Sequence, residues 1–312
     1  MSALRHLLSI DDLSSDEIRL ILGLAEQLRA ERNAGHLREP LRGKSLAMVF
    51  EKPSLRTRMT FDIGMRELGG HAVYLAPSEI QIGKRESLPD VARNLSRWVH
   101  GIMARTFSHG TVVGLAEHGT ASVINALSDV EHPCQALAFG QLVLAERGSL
   151  DGTKVAYVGD GNNVAHSLML LAAKTGMQFT LACPEGYDPS DAIFRRANEL
   201  GDVRVVRDPV DAVKDADFLY TDVWTSMGQE AETEKRLRDF VGYQVNEALL
   251  AKAPPTMLVT HCLPAHRGEE ITDGVMDGSQ CRAFDEAENR LHAQKAVLIF
   301  LLAPETLLET GQ

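Results

Sequence analysis

The sequence predicts an α/β fold of two doubly wound parallel-sheet domains joined by a helix, and three observations carry that prediction. Short apolar runs of strand character alternate with stretches of helical periodicity along the chain, the pattern of parallel sheets covered by helices. A long helical stretch, Pro133 to Arg147, ends in the turn Gly148-Ser149-Leu150-Asp151-Gly152 and separates two series of such runs. Residues with chemical capability stand just after the strand-like runs, where ligands bind in open parallel sheets.

Taken in order, Ser14-Ser15-Asp16-Glu17 reads as a capping box, and Ile18, Ile21, Leu22, Ala25 and Leu28 follow at helical spacing toward a stop near Gly35. The first strand series is Leu46 to Phe50, Ala72 to Leu75, Gly101 to Ala104 and Ala121 to Asn125, with helical patterns such as Phe61, Met65, Leu68 between them. The second series is Lys154 to Val158, Phe179 to Cys183, Val203 to Val206, Phe218 to Thr221 and Met257 to Thr260. A last apolar helix spans Glu286 to Leu302.

With 312 residues the chain has length for two cores. Its formal net charge of −11 excludes a general nucleic-acid or anionic-membrane surface, each of which needs a basic face. No apolar run reaches the roughly 18 residues a membrane span requires, and the N-terminus reads as a capped helix, so a cytoplasmic location is expected. Cys134, Cys183, Cys262 and Cys281 lack paired spacing, which favours reduced thiols over a disulfide framework. His132, Cys134, His261 and Cys262 also lack metal-finger spacing, so neither a metal nor an organic cofactor is expected.

Ser54-Leu55-Arg56-Thr57-Arg58 directly follows a predicted strand and opens a helix. Unpaired N–H groups and the positive end of the helix dipole favour an anion there, and Arg supplies forks that fit phosphate oxygens. The bland alternative is a helix cap with surface arginines; Arg105, also after a strand, raises the phosphate reading. His132-Pro133-Cys134-Gln135 starts a helix, with His132 and Gln135 on one face, able to polarise a carbonyl oxygen together or simply to begin a helix.

Gly159-Asp160-Gly161-Asn162-Asn163-Val164 superficially resembles a dinucleotide fingerprint, with Glu185 where a ribose-binding acid would stand, but Val164 replaces the third glycine. The competing reading is that Asn163 offers its amide to another ligand. Asp222-Val223-Trp224-Thr225-Ser226-Met227-Gly228-Gln229-Glu230 leaves a strand into a loop suited to cover a small polar ligand. His261-Cys262-Leu263-Pro264 ends the last strand, where a buried cysteine is usually a small hydrophobe.

In this order these segments, with Glu288-Asn289-Arg290, closely resemble the aspartate/ornithine carbamoyltransferase family over nearly the whole chain. The resemblance implies an active site in the interdomain cleft, a carbamoyl-phosphate-binding domain at residues 1–147, an ornithine-binding domain at 148–285, and a C-terminal helix, 286–312, packing back on the first domain. It implies that Ser54, Arg56, Thr57 and the Leu55 amide hold the phosphate, that Arg105 bridges phosphate and carbonyl, and that His132, Gln135 and Arg290 grip the carbamoyl group. In the family a neighbouring subunit of a trimer completes the phosphate site, and Gln81 stands at the matching position; a homotrimer or an assembly of trimers is implied.

On the second domain the resemblance places Asn163, Asp222, Ser226 and the Met227 amide around the amino-acid head group, with Cys262 and the Leu263 carbonyl near the reacting amine. Arg105, His132 and Cys262 are the implied catalytic residues, and the implied reaction turns carbamoyl phosphate and L-ornithine into citrulline and phosphate, within arginine metabolism. Aspartate-specific relatives carry His-Pro-Leu-Pro-Arg where this chain has His261-Cys262-Leu263-Pro264-Ala265, and the Ser226-Met227-Gly228 loop also points to ornithine. Two departures stand out: Leu55 where many relatives have Thr, and Phe139 where the family usually has Asp. Rival readings are a carbamoyltransferase for putrescine or an acylated ornithine, a dehydrogenase built on Gly159 to Asn163, and a non-catalytic carbamoyl-phosphate-binding paralogue.

Overall fold

Every strand pairing recorded among the described residues, 4–226 and 228–307 of the computed structural model, runs parallel within one of two sheets. The chain divides into two units, Met1–Gln141 with Asn289–Gln312, and Leu142–Glu288. Both divisions fall inside continuous helices, Pro133–Arg147 and Ala283–Leu302. Helical periodicity runs unbroken through those points, so sequence reasoning sets its boundaries at the helix margins instead.

In the first unit the strands are β1 (Ser45–Phe50), β2 (His71–Leu75), β3 (Gly101–Arg105) and β4 (Ser122–Leu127), in the order β2-β1-β3-β4. Ile102, Met103 and Ala104 of β3 are wholly buried, whereas the edge strand β2 exposes His71 and Val73; continuous apolar runs belong to central strands covered on both faces. The register of β3 against β4 shifts between Ala104 and Arg105. Such an irregularity re-aims a side chain at a strand end, and here the side chain is that of Arg105.

Helix Ser15–Asn33 begins at the expected capping box, with the Ser14 hydroxyl accepting from the Glu17 N–H. It buries Ile18, Ile21, Leu22, Ala25 and Leu28, each Ile or Leu side chain contributing about 1.5–3 kcal/mol. Phe139 is also fully buried, on helix Pro133–Arg147. An aromatic is accommodated there as core, where a carboxylate would need a partner. The C-terminal helix carries Lys295 into the interior of this unit, where it pairs with Glu67 at 2.8 Å. Burial acts to raise the Glu67 carboxyl, but hydrogen bonds from Lys295 and Arg32 prevail and hold it below its ordinary value.

The second unit contains β5 (Lys154–Val158), β6 (Gln178–Ala182), β7 (Val203–Val206), β8 (Phe218–Thr221) and β9 (Leu258–His261), in the order β7-β6-β5-β8-β9. Helix Asn163–Thr175 is buried along most of its length, which explains its apolar composition on all faces. Tyr157 of β5 stacks on Tyr220 of β8, ring centroids 5.8 Å apart, at the core of the sheet. The Tyr220 hydroxyl and the Thr260 hydroxyl both donate to the buried Glu286 carboxylate, at 2.7 and 2.6 Å.

Candidate active site

Chain reversal at β1 in the first sheet and at β5 in the second creates a switch point in each unit: β1 lies between β2 and β3, and β5 between β6 and β8. The candidate residues collect at these points. In the first unit Ser54 caps helix Leu55–Glu67, its hydroxyl accepting from the Thr57 N–H at 3.3 Å. Phe50 pairs in register with Arg105, and the Glu51 N–H donates to the Arg105 carbonyl at 2.9 Å, fixing the two strand ends together.

His132 precedes the helix at Pro133, with its carbonyl accepting from the Gln135 N–H. Arg290, buried on the C-terminal helix, donates from Nη1 to Gln135 Oε1 at 2.5 Å and from Nη2 to Thr57 Oγ1 at 3.3 Å. Thr57, Gln135 and Arg290 are therefore one connected group although they lie far apart in sequence. The His132 imidazole is pushed well below its ordinary pKa, first by burial and then by the charges of Arg290, Arg105, Lys52 and Arg56. Four cations acting on one neutral ring make a local positive field inside a chain of net charge −11. That field suits a small dianion beside a polarisable carbonyl.

Leu55, whose amide is the expected phosphate contact, has an exposed side chain, so its identity leaves the backbone donor unaffected. Gln81 ends the short helix Pro77–Ile80 in a left-handed conformation, φ 39°, and its amide donates to the Ser78 carbonyl at 3.3 Å. Cys134 donates to the Asn125 carbonyl, and burial pushes its thiol up to about 11, which makes it inert.

In the second unit Asp222 follows β8 and is almost wholly buried. Its Oδ1 accepts from the Cys262 thiol at 2.7 Å and from the Val223 N–H at 2.8 Å; its Oδ2 accepts from Asn162 Nδ2 at 2.9 Å. Asn163 opens the buried helix beside them. The Ser226 N–H donates to Gln229 Oε1 at 3.2 Å, closing the loop on itself. Met227 lies outside the described residues.

The supporting roles of Arg236 and Gly161 are not legible in the sequence. Arg236 is buried, donating to Asp160 Oδ2 at 2.7 Å and to the Trp224 carbonyl at 2.8 Å, so it ties the ends of β5 and β8 together. Burial raises the Asp160 carboxyl despite this pairing. Gly161 packs where a Cβ would lie 2.4 Å from the Pro189 nitrogen, so the glycine serves backbone packing in this unit and the dinucleotide resemblance loses its physical basis. Only the structure's long-range packing reveals these roles.

Asp222, His261 and Cys262 place donor atoms within 4.8 Å of one another, close enough for a metal ion. His261, however, accepts the Leu263 N–H on Nδ1 at 2.8 Å and faces Glu270 Oε1 with Nε2 at 3.0 Å. Both ring nitrogens are thus committed, and the remaining thiol and carboxylate are hydrogen-bonded to each other. The donor set fits an amine-binding pair better than a metal centre. His266, Glu269 and Glu270 form a second group of this spacing, with His266 exposed.

The chain is similar to known carbamoyltransferases along nearly its whole length. Residues 5–140 match the family description "Aspartate/ornithine carbamoyltransferase, carbamoyl-P binding domain", and residues 151–301 match "Aspartate/ornithine carbamoyltransferase, Asp/Orn binding domain". The ornithine carbamoyltransferase of Archaeoglobus fulgidus is 52% identical over 304 residues, covering 97% of this chain and 99% of that protein. That of Anoxybacillus flavithermus is 50% identical, covering 96% of each. Among solved structures, the ornithine carbamoyltransferase from Pyrococcus furiosus superposes with a TM-score of 0.93 at 49% identity, covering 96% of this chain and 97% of that one.

Proposed function

This chain belongs to the aspartate/ornithine carbamoyltransferase family, and we propose that it transfers the carbamoyl group of carbamoyl phosphate to the side-chain amine of L-ornithine, giving L-citrulline and phosphate. Identity of about half the residues over nearly the full length of named ornithine carbamoyltransferases supports this assignment. The observation that carries it chemically is the convergence of Arg290, Arg105, Lys52 and Arg56 on a neutral His132.

The first unit holds carbamoyl phosphate. Ser54, Arg56, Thr57 and the Leu55 amide take the phosphate, Arg105 spans phosphate and carbonyl, and His132, Gln135 and Arg290 hold the carbamoyl group. The second unit holds ornithine through Asn163, Asp222, Ser226 and Met227, with Cys262 and the Leu263 carbonyl near the reacting amine.

The neutral amine attacks the carbamoyl carbon, the carbonyl oxygen takes negative charge in a tetrahedral intermediate, and the C–O bond to phosphate breaks. Arg105, His132 and Thr57 stabilise that oxyanion, each well-placed donor being worth about 3–4 kcal/mol. A neutral imidazole suits this role, since it donates without adding a proton that the reaction would have to move. An alkyl amine has a pKa near ~10.4, so ornithine must lose a proton on binding; desolvation in the Cys262 region favours that loss, and the departing phosphate accepts the proton released after attack.

The assembly is a homotrimer or a set of trimers, with Gln81 of a neighbouring subunit completing the phosphate site. Exposed apolar side chains on the first unit, Leu55, Met59, Val73 and Trp98, support such an association. No helix among the described residues is long and apolar enough to cross a membrane, in keeping with a cytoplasmic role in arginine metabolism. The test is a steady-state assay of carbamoyl phosphate with ornithine, putrescine and N-acetylornithine. Citrulline formation selective for ornithine is expected; preference for either other amine, or binding of carbamoyl phosphate without turnover, refutes the assignment.

A further inference from the structure

Asn162 stands before the motif residue that the family pattern assigns to substrate, and its carboxamide is used at both ends. Oδ1 accepts from the Val164 and Ala165 N–H groups at 2.9 and 3.1 Å, capping helix Asn163–Thr175, and from the Tyr157 hydroxyl at 3.3 Å. Nδ2 donates to Asp222 Oδ2 at 2.9 Å, across the switch point between β5 and β8. The cap fixes the amide's orientation: with Oδ1 turned to the helix, Nδ2 can only face Asp222.

A carboxylate offers about four in-plane acceptor positions. Oδ1 of Asp222 receives the Cys262 thiol and the Val223 N–H, and Oδ2 receives Asn162. Among the described residues this leaves one acceptor position, on Oδ2, in a fixed plane. Without the Asn162 donor the Asp222 carboxylate would be held along one edge only and could rotate, taking the thiol with it.

We propose that Asn162 is a positioning residue for the transfer reaction: it couples the helix cap to the Asp222 carboxylate and so holds the last acceptor position of Asp222 for the amino group of the substrate. The proposal rests on the assignment of Asp222 to the amino-acid substrate.

Ser and Asp are as good helix caps as Asn, which allows the two roles to be separated. Asn162→Ser keeps a cap oxygen but removes the donor to Asp222. Its thermal midpoint and its KM for carbamoyl phosphate should stay near the parent values, while kcat/KM for ornithine falls by about 10- to 100-fold, the effect of a misplaced reactive group. Asn162→Asp also keeps the cap but sets two carboxylates against each other at the 2.9 Å contact. The pair must then share a proton, so ornithine kinetics should acquire an additional ionisation in the pH profile.

A double-mutant cycle with Asp222→Asn decides the route. If Asn162 acts through Asp222, the double variant is no worse than Asp222→Asn alone. Parent-like ornithine kinetics in both Asn162→Ser and Asn162→Asp would reduce Asn162 to a helix cap and overturn the proposal. Additive losses would overturn it as well. If Asp222→Asn by itself leaves ornithine kinetics unchanged, the assignment of Asp222 fails, and the proposal falls with it through a distinct observation.

Discussion

Arg290→Met tests the assembly of the first half-site most directly, because Arg290 arrives from the far end of the chain. Methionine restores most of the buried volume and removes the charge. The hydrogen bonds to Gln135 at 2.5 Å and to Thr57 at 3.3 Å are among those lost, and the buried carboxamide and hydroxyl each lose a donor. A charge-assisted hydrogen bond contributes about 1.5–3 kcal/mol net, and the longer contact is the weaker, so urea unfolding should show a loss of about 2–4 kcal/mol. Loss of a donor to the carbamoyl group should lower kcat/KM for carbamoyl phosphate by about 10²–10³-fold. After burial, the Arg290 charge is the main influence holding the His132 pKa down, so that pKa should move up toward its ordinary value, as followed by NMR of labelled imidazoles. Parent-like turnover together with an unmoved His132 would refute the reasoning that one cation serves both groups.

Cys262→Ala should raise KM for ornithine and leave that for carbamoyl phosphate nearly unchanged in steady-state assays; an effect confined to carbamoyl phosphate would reverse the assignment of substrates to units. Gly161→Ala forces a Cβ to 2.4 Å from the Pro189 nitrogen, so denaturant melts should show a loss of about 1–3 kcal/mol. His132 has a folded pKa below its unfolded value near ~6.5, so below that pH the unfolded chain takes up a proton that the folded site refuses. Stability should be fully present above about pH 6.5 and decline as pH falls, and His132→Asn should flatten part of that slope in urea melts between pH 7.5 and 5.5.

The strand and helix pattern was legible because it depends on local periodicity. All nine expected strands form, with ends shifted by no more than a few residues, as for Gly101–Arg105 and Leu258–His261. The capping box at Ser14 and the cap at Ser54 were equally local. What could not be read were links between distant segments. Asn162 looked like a neighbour of Asn163, and nothing in the spacing shows that its amide reaches Asp222, sixty positions on. Arg236 carries no signal in its local sequence, yet it is buried against Asp160. His261 read only as the end of the last strand, without metal-finger spacing, and its two ring nitrogens prove to be occupied by Leu263 and Glu270. The Arg105 register shift is likewise a property of pairing with β4.

By itself the sequence determined which residues stand at strand ends and which chemistry they offer: hydroxyls and guanidiniums after β1 and β3, an imidazole before Pro133, a carboxylate after β8 and a thiol after β9. Those positions follow from the alternation of strands and helices, which short-range hydrophobic patterning dictates. Tertiary structure decided the protonation of His132 and the company of Asp222. Burial and the approach of four cations set the first; one carboxamide shared between a helix end and a neighbouring strand end set the second. Both depend on groups brought together from remote parts of the chain, and their energies exist only at contact distance in a medium that water does not screen.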